Sequence, residues 1–128
     1  LASFHIFINM EKICTVCNLT KSISEFYHQK DRKSGASKCK KCHNKYCIQR
    51  WINQKIKAIE YKGCSCVDCQ VTYPEMPYVI FDFHHITPSE KDFDWNRLRL
   101  RPWNQITKEL DKCVLLCSNC HRIRHHLM

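Results

Sequence analysis

Four histidines and eight of the eleven cysteines carry the chemistry that this chain could perform. His84 and His85 are adjacent, and His121 and His125 are four positions apart. At the end of a strand, neighbouring side chains point to opposite faces, so one histidine can ligate while the other faces elsewhere. On a helix, positions four apart share a face and can reach one ion. Three neutral imidazoles, from His84, His121 and His125, leave coordination positions open for water and a phosphate oxygen. That donor set suits Zn²⁺, Ni²⁺, Co²⁺ or Mn²⁺ better than Mg²⁺. An unligated imidazole titrates near neutrality, so His85 is the candidate to deprotonate water. The chemistry implied is phosphodiester hydrolysis with one divalent ion and one general base. An alternative stays open: His121 or His125 replaces a thiolate in a structural zinc site.

The cysteines fall into four CxxC pairs, the spacing that places two thiolates on one tetrahedral ion. Cys14, Cys17, Cys39 and Cys42 form one expected set, and Cys66, Cys69, Cys117 and Cys120 the other. The odd total, with no signal peptide in view, predicts a reducing, cytoplasmic setting and two structural Zn²⁺ ions rather than disulfides. Cys47, Cys64 and Cys113 are then expected as small buried hydrophobes.

These residues need positioning elements. The reading is a small α+β, zinc-stabilised chain: a basic zinc-binding module with a linker helix over 10–62, then a second module over 63–128. The first consists of a zinc knuckle or ribbon with a turn at Asp31–Gly35, then a helix from His43 to about Tyr61. Ile59 could equally begin a short strand. In the second, the alternation around Val79, Phe81 and Phe83 predicts a strand ending at His85. Residues 89–100 read as loop, and Asn104 as the cap of a helix over Gln105–Asp111. A short strand, Val114–Leu116, enters the last knuckle, and a final helix over Cys120–Met128 is capped by Ser118 or Asn119. The apolar run Leu1–Asn9 reads as an edge strand or as sequence upstream of a Met10 start.

Composition narrows the function. The chain has 128 residues, 21 Lys and Arg against 12 Asp and Glu, two glycines and 14 aromatic residues. So few glycines exclude an α/β enzyme with Gly-rich turns, and the aromatic content excludes a disordered basic tail. Residues 1–62 hold 13 basic and 4 acidic side chains, whereas 63–128 hold 8 of each. Two four-thiolate zinc sites lower the formal +9 to about +5, which still leaves the N-terminal half basic. Such a surface attracts a polyanion, and no segment is long and apolar enough to span a membrane. The candidate polyanion contacts are Lys40, Lys41 and Lys45 on the first helix, Arg97, Arg99 and Arg101 after the paired histidines, and Arg122 and Arg124 on the last helix.

The stretch DFHHITPSEKDF from Asp82 to Phe93, with ELDKCVLLCSNCHRIRH over 109–125, resembles the zinc-knuckle branch of the HNH endonuclease family. The resemblance spans Cys66–His126 and implies a ββα-metal (His-Me finger) domain. It implies His85 as general base, with His84, His121 and His125 holding the catalytic Mg²⁺, Mn²⁺, Ni²⁺ or Zn²⁺. Nicking of double-stranded DNA to 5′-phosphate and 3′-hydroxyl ends follows from it. The two-part layout is similar to phage-borne or mobile-element HNH endonucleases. That suggests a host-cell setting, with a homodimer or other phage or mobile-element proteins needed to cut both strands. One position departs from the pattern. The central Asn before the last knuckle is missing, and Asp111 or a backbone carbonyl is the expected support for His85. A nucleic-acid-binding zinc protein with an inactive HNH-like fold is the second reading, and a zinc module for protein contact the third.

Overall fold

A computed structural model describes residues 10–29 and 35–127. The expected strand in Leu1–Asn9, most of the turn at 31–35 and Met128 lie outside the described residues. The chain divides into two compact units, 1–50 and 51–128, and the division falls inside one helix, α1 (Lys40–Tyr61).

The first unit opens with a short antiparallel pair, β1 (Glu11–Ile13) and β2 (Thr20–Ser22), with Lys12 opposite Lys21. Between the strands, Cys14–Cys17 makes a tight turn. Asn18 takes φ +61° and its N–H returns to the Cys14 carbonyl at 2.9 Å. Gly35 has φ +79°, and a Cβ there would stand 2.9 Å from the Tyr27 carbonyl oxygen, so no other residue fits without strain. Among the described residues of this unit, the buried apolar cluster is Cys14, Cys39 and the nearly buried Phe26, with Cys17 and Cys42 against them. So little apolar surface cannot hold a fold without a staple. Helix α1 starts at Lys40, inside the second CxxC pair and earlier than the apolar spacing predicts.

The second unit begins with the rest of α1, where Ala58 and Ile59 are fully buried. Ile59 is therefore helical rather than the start of a strand. Gly63, with φ +92°, and Cys64, whose N–H returns to the Ile59 carbonyl at 3.0 Å, end the helix. The turn at Cys66–Cys69 repeats the first one: Gln70 has φ +64° and its N–H reaches the Cys66 carbonyl at 2.9 Å. Next comes β3 (Phe81–His85), paired antiparallel with β4 (Cys113–Cys117), so that Phe81 faces Cys117 and His85 faces Cys113.

The segment expected as loop contains a short helix, α2 (Trp95–Leu98), because the Asp94 carboxylate accepts from the Arg97 N–H at 3.0 Å. Helix α3 (Trp103–Leu110) follows, with Pro102 at its cap. Asn104 lies inside that helix instead of capping it, since proline at 102 already sets the φ that starts the turn. Helix α4 (Ser118–Leu127) follows β4 directly, so Ser118 and Asn119 are also inside. The Ser118 hydroxyl instead donates to the Ile80 carbonyl at 3.0 Å. Ile59, Phe81 and Leu115 form one core cluster, and Ala58, Leu98, Ile106 and Leu110 another. Among the described residues no helix is long and apolar enough to cross a membrane.

Burial along α1 sets an expected contrast. Ile59→Ala empties a fully enclosed site and should cost about 2–5 kcal/mol. Ile48→Ala, at a position 53% exposed, should change stability by less than about 0.5 kcal/mol. Thermal unfolding of the two zinc-loaded variants checks this.

Candidate metal and histidine centre

Each unit gathers four thiols in the same way, one pair from a tight turn and one from the start of a helix. Cys14, Cys17, Cys39 and Cys42 have their sulfurs within 4.8 Å of one another, as do Cys66, Cys69, Cys117 and Cys120. No pair is oxidised. Four thiols at this spacing form a closed tetrahedral site able to hold zinc.

The surroundings favour thiolate. The Cys39 backbone N–H donates to Cys14 Sγ at 3.3 Å, the Val16 N–H at 3.4 Å, and Lys21 Nζ reaches Cys39 Sγ at 3.2 Å. The Cys39 N–H is the main reason the Cys14 thiol is held down to about 5. Cys66 is pushed up by burial but brought down to about 7 by backbone N–H groups, first among them that of Cys69. Cys42 moves upward chiefly through its contact with Cys39, and Cys120 chiefly through burial and then the neighbouring Cys117 and Cys69 sulfurs. Of the remaining cysteines only Cys113 is buried as expected, and burial pushes its thiol up to about 11. Cys47 and Cys64 are half-buried, which corrects that expectation. Cys47 lies on α1 with its sulfur 3.5 Å from His43 Nε2, and Cys64 takes φ +65° at the helix end.

The third group contains nitrogen only. His84 on β3 and His121 and His125 on α4 bring their ligand nitrogens within 4.8 Å of one another. His121 and His125 lie one helical turn apart, and their Nε2 atoms are separated by 3.0 Å. Ring centroids are 5.2 Å apart for His84 and His121, and 5.3 Å for His84 and His125. Bonds of about 2 Å from one ion close a set of this size. Burial, then the neighbouring His121 and His125, lowers the pKa of His84 and favours the neutral ring that a metal requires. None of the three joins a thiol cluster, so the alternative in which one completes a structural site does not apply.

Asp82, two positions before His84, lies on the same face of β3 and accepts from His121 Nδ1 at 3.1 Å. A proton held at Nδ1 leaves Nε2 free to ligate, the usual role of a carboxylate behind a metal-binding histidine. The D-x-H spacing carried this information, yet Asp82 was not singled out from the sequence.

His85 points the other way. Its Nε2 is 2.7 Å from Glu109 Oε1, and Glu109 is only 3% exposed. That oxygen also accepts from the Asp92 N–H at 3.0 Å and the Phe93 N–H at 3.3 Å, while Lys112 Nζ donates to Oε2 at 3.0 Å. Burial alone would raise the Glu109 pKa, but these donors, His85 first, bring it down to about 2. An ionised carboxylate only accepts, so the His85 proton sits on Nε2 and Nδ1 is left as the basic nitrogen. The sequence offers Asp111 or a backbone carbonyl as the support. Asp111 instead accepts from the Tyr61 hydroxyl at 2.6 Å, because it lies just beyond α3, whereas Glu109 is on the buried face of that helix.

The predicted DNA contacts differ in their freedom. Arg124 makes a two-pronged pair with Asp68, at 2.8 and 2.7 Å, and so ties α4 to the 66–69 turn. Arg99 lies on the Trp51 ring at 4.0 Å, and Arg101 on Phe93 at 4.8 Å. Arg97 and Arg122 are exposed, as are Lys40, Lys41 and Lys45 on the first-unit part of α1. Lys30, Arg32 and Lys33, which add to the basic excess of the N-terminal half, lie outside the described residues. No family model, no curated protein and no solved structure matches the chain.

Three outcomes follow from these contacts. Native mass spectrometry of the intact chain should find two tightly held zinc ions, and Cys117→Ser should retain one. Glu109→Ala leaves a histidine N–H and two backbone N–H groups unpaired, while Lys112 keeps Asp92 and the Glu90 carbonyl, so thermal unfolding should show a loss of about 3–5 kcal/mol. Arg124→Ala removes a partly exposed pair and should cost no more than about 1 kcal/mol.

Proposed function

We propose that the second unit is a metal-dependent DNA endonuclease of the HNH kind, hydrolysing phosphodiester bonds one strand at a time. One observation carries the reading. Three histidines converge on one face of β3, while the adjacent His85 is held on the opposite face by a buried carboxylate. A structural zinc site has no use for three open imidazoles beside two complete thiol clusters. His84, His121 and His125 would hold a divalent ion, whose positive charge would polarise the phosphodiester and offset charge building on the leaving oxygen.

The chain's own groups perform the proton work. His85 Nδ1 takes a proton from the attacking water, whose oxygen bonds to phosphorus as the bond to the 3′ oxygen breaks. The products are a 5′-phosphate and a 3′-hydroxyl. Glu109 balances the imidazolium that forms and keeps the ring in its productive tautomer, as a buried carboxylate does for a general-base histidine elsewhere. Asp82 holds His121 in its ligating tautomer. Exposed Arg97, Arg122, Lys40, Lys41 and Lys45 supply contacts to DNA phosphates, an attraction that weakens with salt. A double-strand break requires a second copy, a second encounter or another phage or mobile-element protein in the host cell.

Supercoiled plasmid incubated with Mg²⁺, Mn²⁺, Ni²⁺ or Zn²⁺ tests the proposal. Nicking is expected with at least one of these ions, and His85→Ala should slow it about 10²–10⁴-fold while two zincs and DNA affinity are retained. DNA binding with no nicking under any of the four ions would overturn the enzyme reading in favour of a nucleic-acid-binding zinc protein.

A further inference from the structure

Beside the three histidines the second unit has a cavity of about 380 Å³, walled by Lys55, Asp82, Phe83, Trp95, Asn96 and His121. Neither thiol cluster lines it, and the proton relay at His85 does not use it. It shares two walls with the histidine centre: His121, a candidate ligand, and Asp82, which holds that ligand. Its size falls in the range of pockets that take small organic ligands, well beyond what one phosphate group fills.

The walls are of three kinds. Phe83 and Trp95 are half-buried rings whose centroids are 4.9 Å apart, and they present aromatic surface. The Asn96 amide is exposed and both donates and accepts. Lys55 and Asp82 bring opposite charges. The Lys55 ammonium is half-buried and 6.0 Å from the Tyr78 ring, and burial lowers its pKa against the pull of Asp82.

A bare anion fits this arrangement poorly, because the Asp82 carboxylate would repel it. A nucleotide fits better. A base has a flat face for the rings and, in adenine, cytosine or guanine, an amino group for Asp82, and its phosphate can meet Lys55. In a duplex those faces are already stacked, so only an unpaired nucleotide can enter. We propose that this cavity is a nucleotide subsite, taking one unpaired, amino-bearing nucleotide of the strand to be cut, next to the scissile phosphate. Its placement next to the scissile phosphate rests on the nuclease reading. The substrate class is then DNA with an unpaired nucleotide, such as a bulge, flap or single-stranded gap.

The zinc-loaded full chain allows a test that does not depend on cleavage. Deoxyadenosine monophosphate and thymidine monophosphate are titrated while the indole N–H resonances are followed by NMR, that of Trp95 being assigned with Trp95→Phe. The Trp95 resonance should shift saturably, more tightly for the adenine nucleotide, while those of Trp51 and Trp103 stay in place. Asn96→Ala, at an exposed position that folding does not need, and Lys55→Gln should each weaken this binding about 5-fold or more. DNA carrying one unpaired adenosine should bind about 5- to 150-fold more tightly than the fully paired duplex. An unmoved Trp95, or equal affinity for paired and bulged DNA, would overturn the subsite even where plasmid nicking occurs. A shifted Trp95 with the expected preference, but no nicking under any divalent ion, would sink the nuclease reading and leave a nucleotide site.

Discussion

Cys117 ends β4, and the next residue begins α4, so one short stretch of backbone sets the direction in which the last helix leaves the sheet. Its thiol clusters with Cys66, Cys69 and Cys120. An ion shared by those four sulfurs would join the 66–69 turn, the end of the strand and the first turn of the helix at a single point. Two further ties act in the same sense: Arg124 to Asp68 at the far end of α4, and Ser118 to Ile80 just before β3. Helix α4 has no buried residue of its own. Its orientation therefore depends on these polar and thiolate links rather than on packing, and so does the approach of His121 and His125 to His84.

Sulfur and nitrogen are kept apart, and the separation has chemical consequences. Four thiolates complete a tetrahedron and leave no room for a reacting ligand, whereas three imidazoles leave coordination positions free. The two thiol clusters are built alike, each from a tight turn with a left-handed residue after its second cysteine and from the start of a helix. Placing a CxxC pair at a helix start directs free backbone N–H groups, the positive end of the helix dipole, toward thiolates. The first unit depends on this most, since thiols make up most of its small core.

The His85–Glu109 contact shows the cost and use of a buried charge. An isolated carboxylate at this depth would be strongly unfavourable, and it is tolerated because four donors converge on it. Three of them come from segments distant from α3: His85 on β3, and the N–H groups of Asp92 and Phe93 in the connection that follows. The carboxylate thus fixes a ring and the loop beside it together. A central asparagine would be neutral. A carboxylate with a matched set of donors holds the same ring and carries charge besides.

The local elements were legible where a short-range rule governs them. Cysteine spacing specified the thiol pairs, alternation specified β3 with His84 and His85 on opposite faces, and the four-residue spacing placed His121 and His125 on one side of α4. Helix starts were less legible. Asp94 nucleates a turn in what reads as loop, and Pro102 takes the role that Asn104 was expected to fill, because capping depends on which backbone N–H groups lack a partner. Which carboxylate supports which histidine was not legible at all. Asp111 and Glu109 are two residues apart on α3 and its end, and only the burial of one side of that helix decides which meets His85. Sequence by itself thus determined the donor atoms and their local geometry, through spacings of four residues or fewer. Tertiary structure alone decided which donors share an ion, which carboxylate backs each imidazole and which arginines stay free, because those pairings join residues 24 to 56 positions apart.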